Sequence, residues 1–487
     1  MLEFGAPASA ISPQLRVLRP QRQPYLASQR TGLVVVPAAT TLVLWGVVSF
    51  GAVYDWARTP LLVLAAAFAV VTMRYVRRRD MAAIAVAALI LLPVCAQALP
   101  MPGALRSALT SADSVTGAYE VAAPHAWAPI SVAPAATLSV ALRVGIFAAF
   151  CITLSSAVRR APRAVPLLAR NVLMVAAAIG IEAIVQKGAF NGRIYWFWES
   201  SAHGTSNYFG PFVNRNHFAG WMILAASLAA GWVMAEASTA AASLKPGWRR
   251  RAVWLSSPEA TTLMLSITAL LVMAVALIWS MSRSGIAGGA MAMLTMAAVA
   301  GSRMKGTARR VLMPSVVVLL LAAAIATKGA DMLASWYATT DTLQWRFAHW
   351  HDAMAPLRDF WIAGSGINTY GVLTLFYPQH DPSVHVAQAH NDYLQLAVEG
   401  GLLVGIPVVI AVIALVRTIA RRLRAPQDER TWWIRVGAAA GLCGIAVQEI
   451  TDFSLQIPGV TLLFAVVVAI AIHEPARGGS EPTVRRV

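Results

Sequence analysis

The sequence predicts an all-α, polytopic membrane protein with about twelve spanning helices, and three observations carry that prediction. First, 58% of its 487 residues are hydrophobic and only 13% are charged, giving a mean hydropathy of +0.62. A water-facing surface needs far more charge than that. Second, apolar runs long enough for a hydrocarbon core of roughly 30 Å recur along the whole chain. Third, the loops between them alternate in charge.

Taken in order, the expected spans begin near Gly32, Pro60, Met81, Ala135, Val165, His217, Thr261, Ser284, Val311, Ala397, Val436 and Gly459. Ahead of them, residues 1–31 carry Arg16, Arg19, Arg22 and Arg30 against Glu3 alone, a polar, proline-containing arm expected to be disordered. It lacks the short apolar core and cleavage site of a secretory signal, so the first span is expected to remain as an anchor. Arg74 to Arg79, Arg159-Arg160, Arg249 to Arg251, Arg303 to Arg310 and Arg421 to Arg424 all fall in loops of one parity. The positive-inside rule makes those loops cytoplasmic, and it places both termini there too, including the 474–487 tail with Arg485-Arg486. An even number of spans agrees.

The net charge of +17 follows from these juxtamembrane arginines. Membrane topology and contact with anionic lipid account for it, with no nucleic acid partner. Cys95, Cys151 and Cys443 lie in or at the ends of apolar runs without paired spacing, and read as packing residues rather than a disulfide framework or thiolate metal site. Gly285, Gly288 and Gly289 in an Ala-rich span read as helix-packing positions, not as a phosphate cradle.

The outer segment from 328 to 391 is too long for a simple connector. Between Thr339 and Met354, the residues Leu343, Phe347, Trp350 and Met354 recur at helical spacing opposite Asp341, Gln344 and Asp352, which predicts a helix lying on the membrane surface. Gly364, Gly366, Pro378 and Pro382 make the second half irregular.

Four polar motifs interrupt the apolar runs on this outer side: Asn214-Arg215-Asn216-His217, Ser282-Arg283-Ser284-Gly285, Ala389-His390-Asn391-Asp392-Tyr393 and Asp452-Phe453-Ser454. Of the nine histidines, all but His473 also fall on that side or at its boundary. Arg283 stands between two apolar runs, where a charge costs about 2.5 kcal/mol or more at mid-span and less near an interface. Such a residue is paired, binds an anion, or snorkels to the interface. Its planar fork suits a diphosphate. Arg215 opens a helix behind the turn residues Gly210 and Pro211, where free amide groups favour an anion or a lipid headgroup. His390, with an ordinary pKa of about 6.5, is a candidate base for a hydroxyl, with Asp392, Glu399 or Asp452 as its partner. Arg346 lies among tryptophans that suit either a sugar or an interfacial belt. His349 and His351 are two apart and cannot share a helix face, so no metal site and no cofactor are expected.

The motifs Asn214 to Gly220, Ser282 to Gly285, Arg346 to Ala353 followed by Gly364-Ser365-Gly366, and His390-Asn391-Asp392-Tyr393-Leu394-Gln395 resemble the signature of the O-antigen ligase and polymerase superfamily, from about Ala135 to Pro458. The resemblance implies a GT-C type, inverting, metal-independent glycosyltransferase within residues 32–473 of a bacterial cytoplasmic (inner) membrane. It would take a glycan from an undecaprenyl diphosphate carrier and pass it to lipid A core or a growing glycan, with residues 328–391 as a helical periplasmic loop. Arg215, Arg283 and His390 would be catalytic, the arginines on the diphosphate and His390 on the acceptor hydroxyl. Arg346, Asn214, His217, Asn391, Tyr393 and Asp452 would contact substrate. Ligation to lipid A core, polymerisation and protein glycosylation share these parts. The rival class is a transporter, but transporters place charge at mid-membrane and show related halves. A structural scaffold would leave the buried Arg283 unexplained.

Overall fold

The computed structural model describes residues 22–110, 127–161, 163–199, 208–243, 247–303 and 341–474. The expected span near Val311, the arm up to residue 21, the start of the outer loop and the tail from residue 475 lie outside the described residues.

The long helices are α1 (Arg22–Val48), α2 (Asp55–Thr72), α3 (Met81–Gln97), α4 (Pro134–Val158), α5 (Ala164–Gly188), α6 (Arg215–Ser243), α7 (Pro258–Trp279) and α8 (Arg283–Gly301). After the outer-loop helix α9 (Asp341–Asp352) come α10 (Asp392–Arg424), α11 (Glu429–Gln448) and α12 (Pro458–Ile472). Among the described residues, nine helices are long and apolar enough to cross a membrane, namely α1 to α8 and α10. The expected twelve are thus not all met at that standard: α11 carries charge in its first turns and α12 has only 15 residues. Strand is confined to Met101–Pro102 paired with Trp127–Ala128. α1 is described from Arg22, and its polar first turns add helix without adding hydropathy.

α6 is the central post, with 89% of its most apolar stretch buried against 17% for α7. It packs most extensively on α11, and α11 in turn on α8. Small residues allow this: a Cβ on Gly231 would lie 2.6 Å from the Trp433 carbonyl oxygen, and one on Gly288 would lie 2.6 Å from that of Gly444. In lipid, where no hydrophobic force separates helix from tail, such close backbone packing supplies much of the association.

Side-chain bonds tie down the two ends of the bundle. At the arginine-rich end, Arg159 on the edge of α4 grips Asp80 in a two-pronged pair at 2.7 and 2.6 Å, and Ser156 adds a hydrogen bond of 3.0 Å. The buried Arg435 of α11 donates to the carbonyl oxygens of Arg422 (3.2 Å) and His473 (2.8 Å), closing the ends of α10 and α12. At the opposite end, α6, α8, α10 and α12 begin and α11 finishes. There Gln448 donates to the Asn216 carbonyl at 2.7 Å, and the Asp392 amide is shared by the carbonyls of Glu449 (3.1 Å) and Asp452 (3.2 Å).

α10 is interrupted at Gly401, whose φ of 53° and ψ of −158° are open to glycine alone. The outer loop is spliced into the gap. Ser365 and Gly366 amides bond to the carbonyls of Val398 (3.1 Å) and Glu399 (3.0 Å), while the Leu402 and Leu403 amides bond to Trp361 and Ile362 (both 2.9 Å). The buried Gln97 of α3 completes the joint by donating to the carbonyls of Ala363 (2.7 Å) and Glu399 (2.8 Å). Every polar group freed by the break that these bonds reach is satisfied, as a low-dielectric setting requires.

Helix α9 turns inward a face that differs from the expected one. Trp345, His349 and Ala353 point into the protein, while Phe347 remains 60% exposed. The expected apolar stripe through Phe347 assumed lipid as the partner. The actual partner is the chain around His390.

Candidate functional site

Apart from Arg346, in the middle of α9, each candidate side chain sits at a helix start or in the turn beside one. Asn214 caps α6: its Oδ1 accepts the Asn216 amide at 2.8 Å and its carbonyl takes the amides of His217 and Phe218. The next residue, Arg215, thereby projects from the first turn. Ser282 caps α8 in the same way, accepting the Gly285 amide at 3.1 Å, after Met281 turns the chain with a φ of 57°. Arg283 is the first residue of that helix. Asn391 caps α10 through the Leu394 amide at 3.0 Å, and the residue before it, His390, adopts a φ of 51°. A left-handed histidine is strained, and strain of this kind persists where surrounding contacts hold it.

Those contacts come from α9 and from the α11–α12 turn. Trp350 donates its indole N–H to the Ala389 carbonyl at 2.9 Å, and Ala389 donates its amide to Gln395 at 3.1 Å. Trp345 stacks at 3.9 Å on His349 and stands edge-on to His390 at 5.6 Å. From the other side Phe453 meets both His390 (5.0 Å) and His217 (4.8 Å).

Three guanidinium groups converge here. Arg215 lies within electrostatic range of Arg283 and Arg346, on three separate helices. Burial lowers the Arg346 pKa from its ordinary value; Asp452 opposes that shift and Arg283 adds to it. Facing them is an acidic group. Asp452 is fully buried, its Oδ1 accepting the Phe453 amide at 2.8 Å and lying 3.8 Å from His217 Nε2. Burial raises its pKa to about 6, Arg346 pulls it back down and Asp392 raises it further. Glu449, also buried, is held well above the carboxylate range by burial and by Asp392 and Asp452 beside it. His390 is pushed down to about 4, first by burial and then by the positive charge of Arg346, so its ring is neutral near pH 7, with Nδ1 buried and no hydrogen-bond partner for it among the described residues.

The structure therefore brings together Arg215, Arg283, Arg346, His390, His217 and Asp452. It gives three others backbone partners: Asn214 and Asn391 cap helices, and the Tyr393 hydroxyl donates to the Ala446 carbonyl at 2.6 Å. Of the carboxylates considered for His390, Glu399 is engaged elsewhere, accepting the amides of Asn368 (2.8 Å) and Tyr370 (2.9 Å) and the Gln395 amide group (3.1 Å). Its place on α10 was compatible with His390, but the loop spliced at Gly401 claims it. Glu449 escaped sequence reading, although it stands three residues before Asp452 at the end of an apolar run. His349 and His351 do part company, the first buried and the second exposed.

Residues 268–410 match the family model described as O-antigen ligase. Over that stretch the chain is similar to the O-antigen ligase superfamily. The matched region holds Arg283, Arg346 and His390, while Arg215, His217 and Asp452 enter the site from outside it. No curated protein matches the chain. The similarity supports an O-antigen ligase- or polymerase-like membrane enzyme.

Proposed function

We propose that this protein transfers a glycan from an undecaprenyl diphosphate carrier to an acceptor hydroxyl on the periplasmic face of the bacterial inner membrane, as an O-antigen ligase. The observation that carries this reading is the convergence of Arg215, Arg283 and Arg346 from three helices beside His390. Guanidinium groups gathered from three helices suit an anion with several phosphate oxygens, and a diphosphate held by a lipid tail is such an anion at a membrane surface.

In this mechanism the acceptor oxygen attacks the anomeric carbon from the face opposite the carrier. The bond from that carbon to the diphosphate oxygen breaks, and configuration inverts. The guanidinium groups meet charge that grows on the departing diphosphate, and the hydroxyl proton passes to neutral His390. Donor binding also prepares the base. An anion among the arginines offsets the positive field that depresses His390, so its basicity rises when the donor is in place. Asp452 and Glu449 form a buried acidic pair beside the rings, with Asp452 also within electrostatic range of Arg346. His217 and Phe453 position them against the site, and Arg346 meets the carrier or its sugar.

Deletion of the gene followed by analysis of surface glycan tests the reading. Loss of all long chains from lipid A core, with carrier-linked glycan accumulating, supports ligation. Single repeat units on the core would instead support the polymerase reading, and unchanged surface glycan would remove both. In a purified assay with carrier-linked glycan, the reading expects transfer to survive a chelator.

A further inference from the structure

At the end of the bundle opposite this site, α3, α4, α10 and α12 enclose a cavity of about 1180 Å³. That exceeds ordinary small-molecule pockets of roughly 300–1,000 Å³. Its walls are hydrocarbon: Ala87 and Ile90 from α3, Ala148 from α4, Leu415 from α10, Phe464 and Val468 from α12. Its rim is not. Arg79, Arg159, Arg417, Arg421, Arg422 and Arg424 line it, against only two acids, Asp80 and Glu474.

The acids are already engaged. Asp80 is held by Arg159, and Glu474 is shared between Arg422 at 3.3 Å and Arg79 at 3.9 Å. Arg417, Arg421 and Arg424 meet no carboxylate among the described residues; Arg421 donates to the Thr418 hydroxyl at 3.2 Å. These three recur at helical spacing and so share one face of α10. Orientation in the membrane requires arginines in the loops. It does not require them aligned along a span above an apolar cleft.

We propose that this cleft is a binding site for an anionic glycerophospholipid, with acyl chain among the alanines and aliphatic side chains and phosphate against Arg417, Arg421 and Arg424. Both halves of the site are needed. A free phosphate finds no use for the walls, and a zwitterionic lipid brings a cation that the rim repels. The location is independent of the glycan-transferring site, so the proposal stands whether or not that reading does.

The test uses the full chain in nanodiscs containing phosphatidylcholine with a minor fraction of phosphatidylglycerol, released into native mass spectrometry under increasing delipidation. We expect one phosphatidylglycerol to remain on the chain after phosphatidylcholine is lost. Changing Arg417, Arg421 and Arg424 together to Gln should weaken that retention roughly tenfold or more, each contributing through the lipid phosphate. Ala148→Trp and Ala87→Trp, which fill the cleft and leave the rim intact, should displace the lipid as well. Inorganic phosphate should not compete. Equal retention of the two lipids, retention unaltered in the Gln variant, displacement by inorganic phosphate, or a second copy of the chain seated in the cleft would each overturn the proposal. If the tryptophan variants fail to fold, the exposed rim variant decides alone, with circular dichroism and melting temperature confirming its fold.

Discussion

The rings of His390 and Phe453 meet edge to face with their centroids 5.0 Å apart, and Phe453 touches His217 in the same manner at 4.8 Å. One aromatic side chain thereby sets the position of both histidines relative to Asp452, its neighbour in sequence. A base misplaced by about 1 Å can cost on the order of a hundredfold in rate. We expect Phe453→Ala to lower glycan transfer by roughly tenfold to a hundredfold with insertion unaffected, and Phe453→Tyr to retain most of it. Steady-state kinetics on purified protein, with size-exclusion profiles as control, would check this; full activity in Phe453→Ala removes the positioning role.

Arg283→Ala should reduce kcat by roughly 10²–10³, the usual effect of deleting one donor to developing charge. Arg283→Lys should recover only part, because a point charge replaces a two-pronged fork. A change confined to KM would mean that Arg283 binds the ground state and nothing more.

The pH profile follows from His390. Its neutral ring is the reactive form, so activity is full above its pKa and lost as pH falls through it. In the free protein that value is about 4, depressed by burial and Arg346. A bound diphosphate offsets Arg346, so the acid limb of kcat, which reports the complex, should lie at higher pH than the acid limb of kcat/KM. Coincident limbs would argue against charge coupling between the arginines and His390.

Burial beside Asp392 and Asp452 raises the Glu449 pKa well above its ordinary value, which favours the protonated acid. Glu449→Gln has the shape of that protonated acid, and should leave transfer within about threefold, less than 1 kcal/mol in barrier. A much larger loss would show that Glu449 gives up its proton during turnover.

Gly401→Ala should destabilise the protein by about 1–3 kcal/mol, since its φ of 53° and the Gly364 backbone beside it leave no room for a Cβ. Thermal unfolding in detergent would show it, and an unchanged melting temperature would contradict the tightness of the joint.

Much of this arrangement was legible in the chain. Hydropathy located the starts of α2, α3, α4, α5, α6, α7 and α8 within a few residues, because each apolar run is bounded by turn or charged residues. The four polar motifs were legible as interruptions, and all four meet at one end. The break at Gly401 was not, since Leu396 to Val416 is, Glu399 aside, apolar on both sides of it and a window average cannot register one backbone angle. The choice among Asp392, Glu399 and Asp452 beside His390 was not legible either, because Glu399's actual partners Asn368 and Tyr370 come from a loop whose path is set in three dimensions. The inward stripe of α9 also depends on tertiary partners, which override a pattern read for a lipid surface.

The splice at Gly401 has a mechanical side. Four backbone hydrogen bonds fasten residues 361–366 to the two halves of α10, so this part of the loop is a weld and not a lid. Lifting it would bare amides and carbonyls in the spanning helix itself. Under the proposed function, a glycan would therefore reach His390 past this fixed edge rather than by displacing residues 361–366.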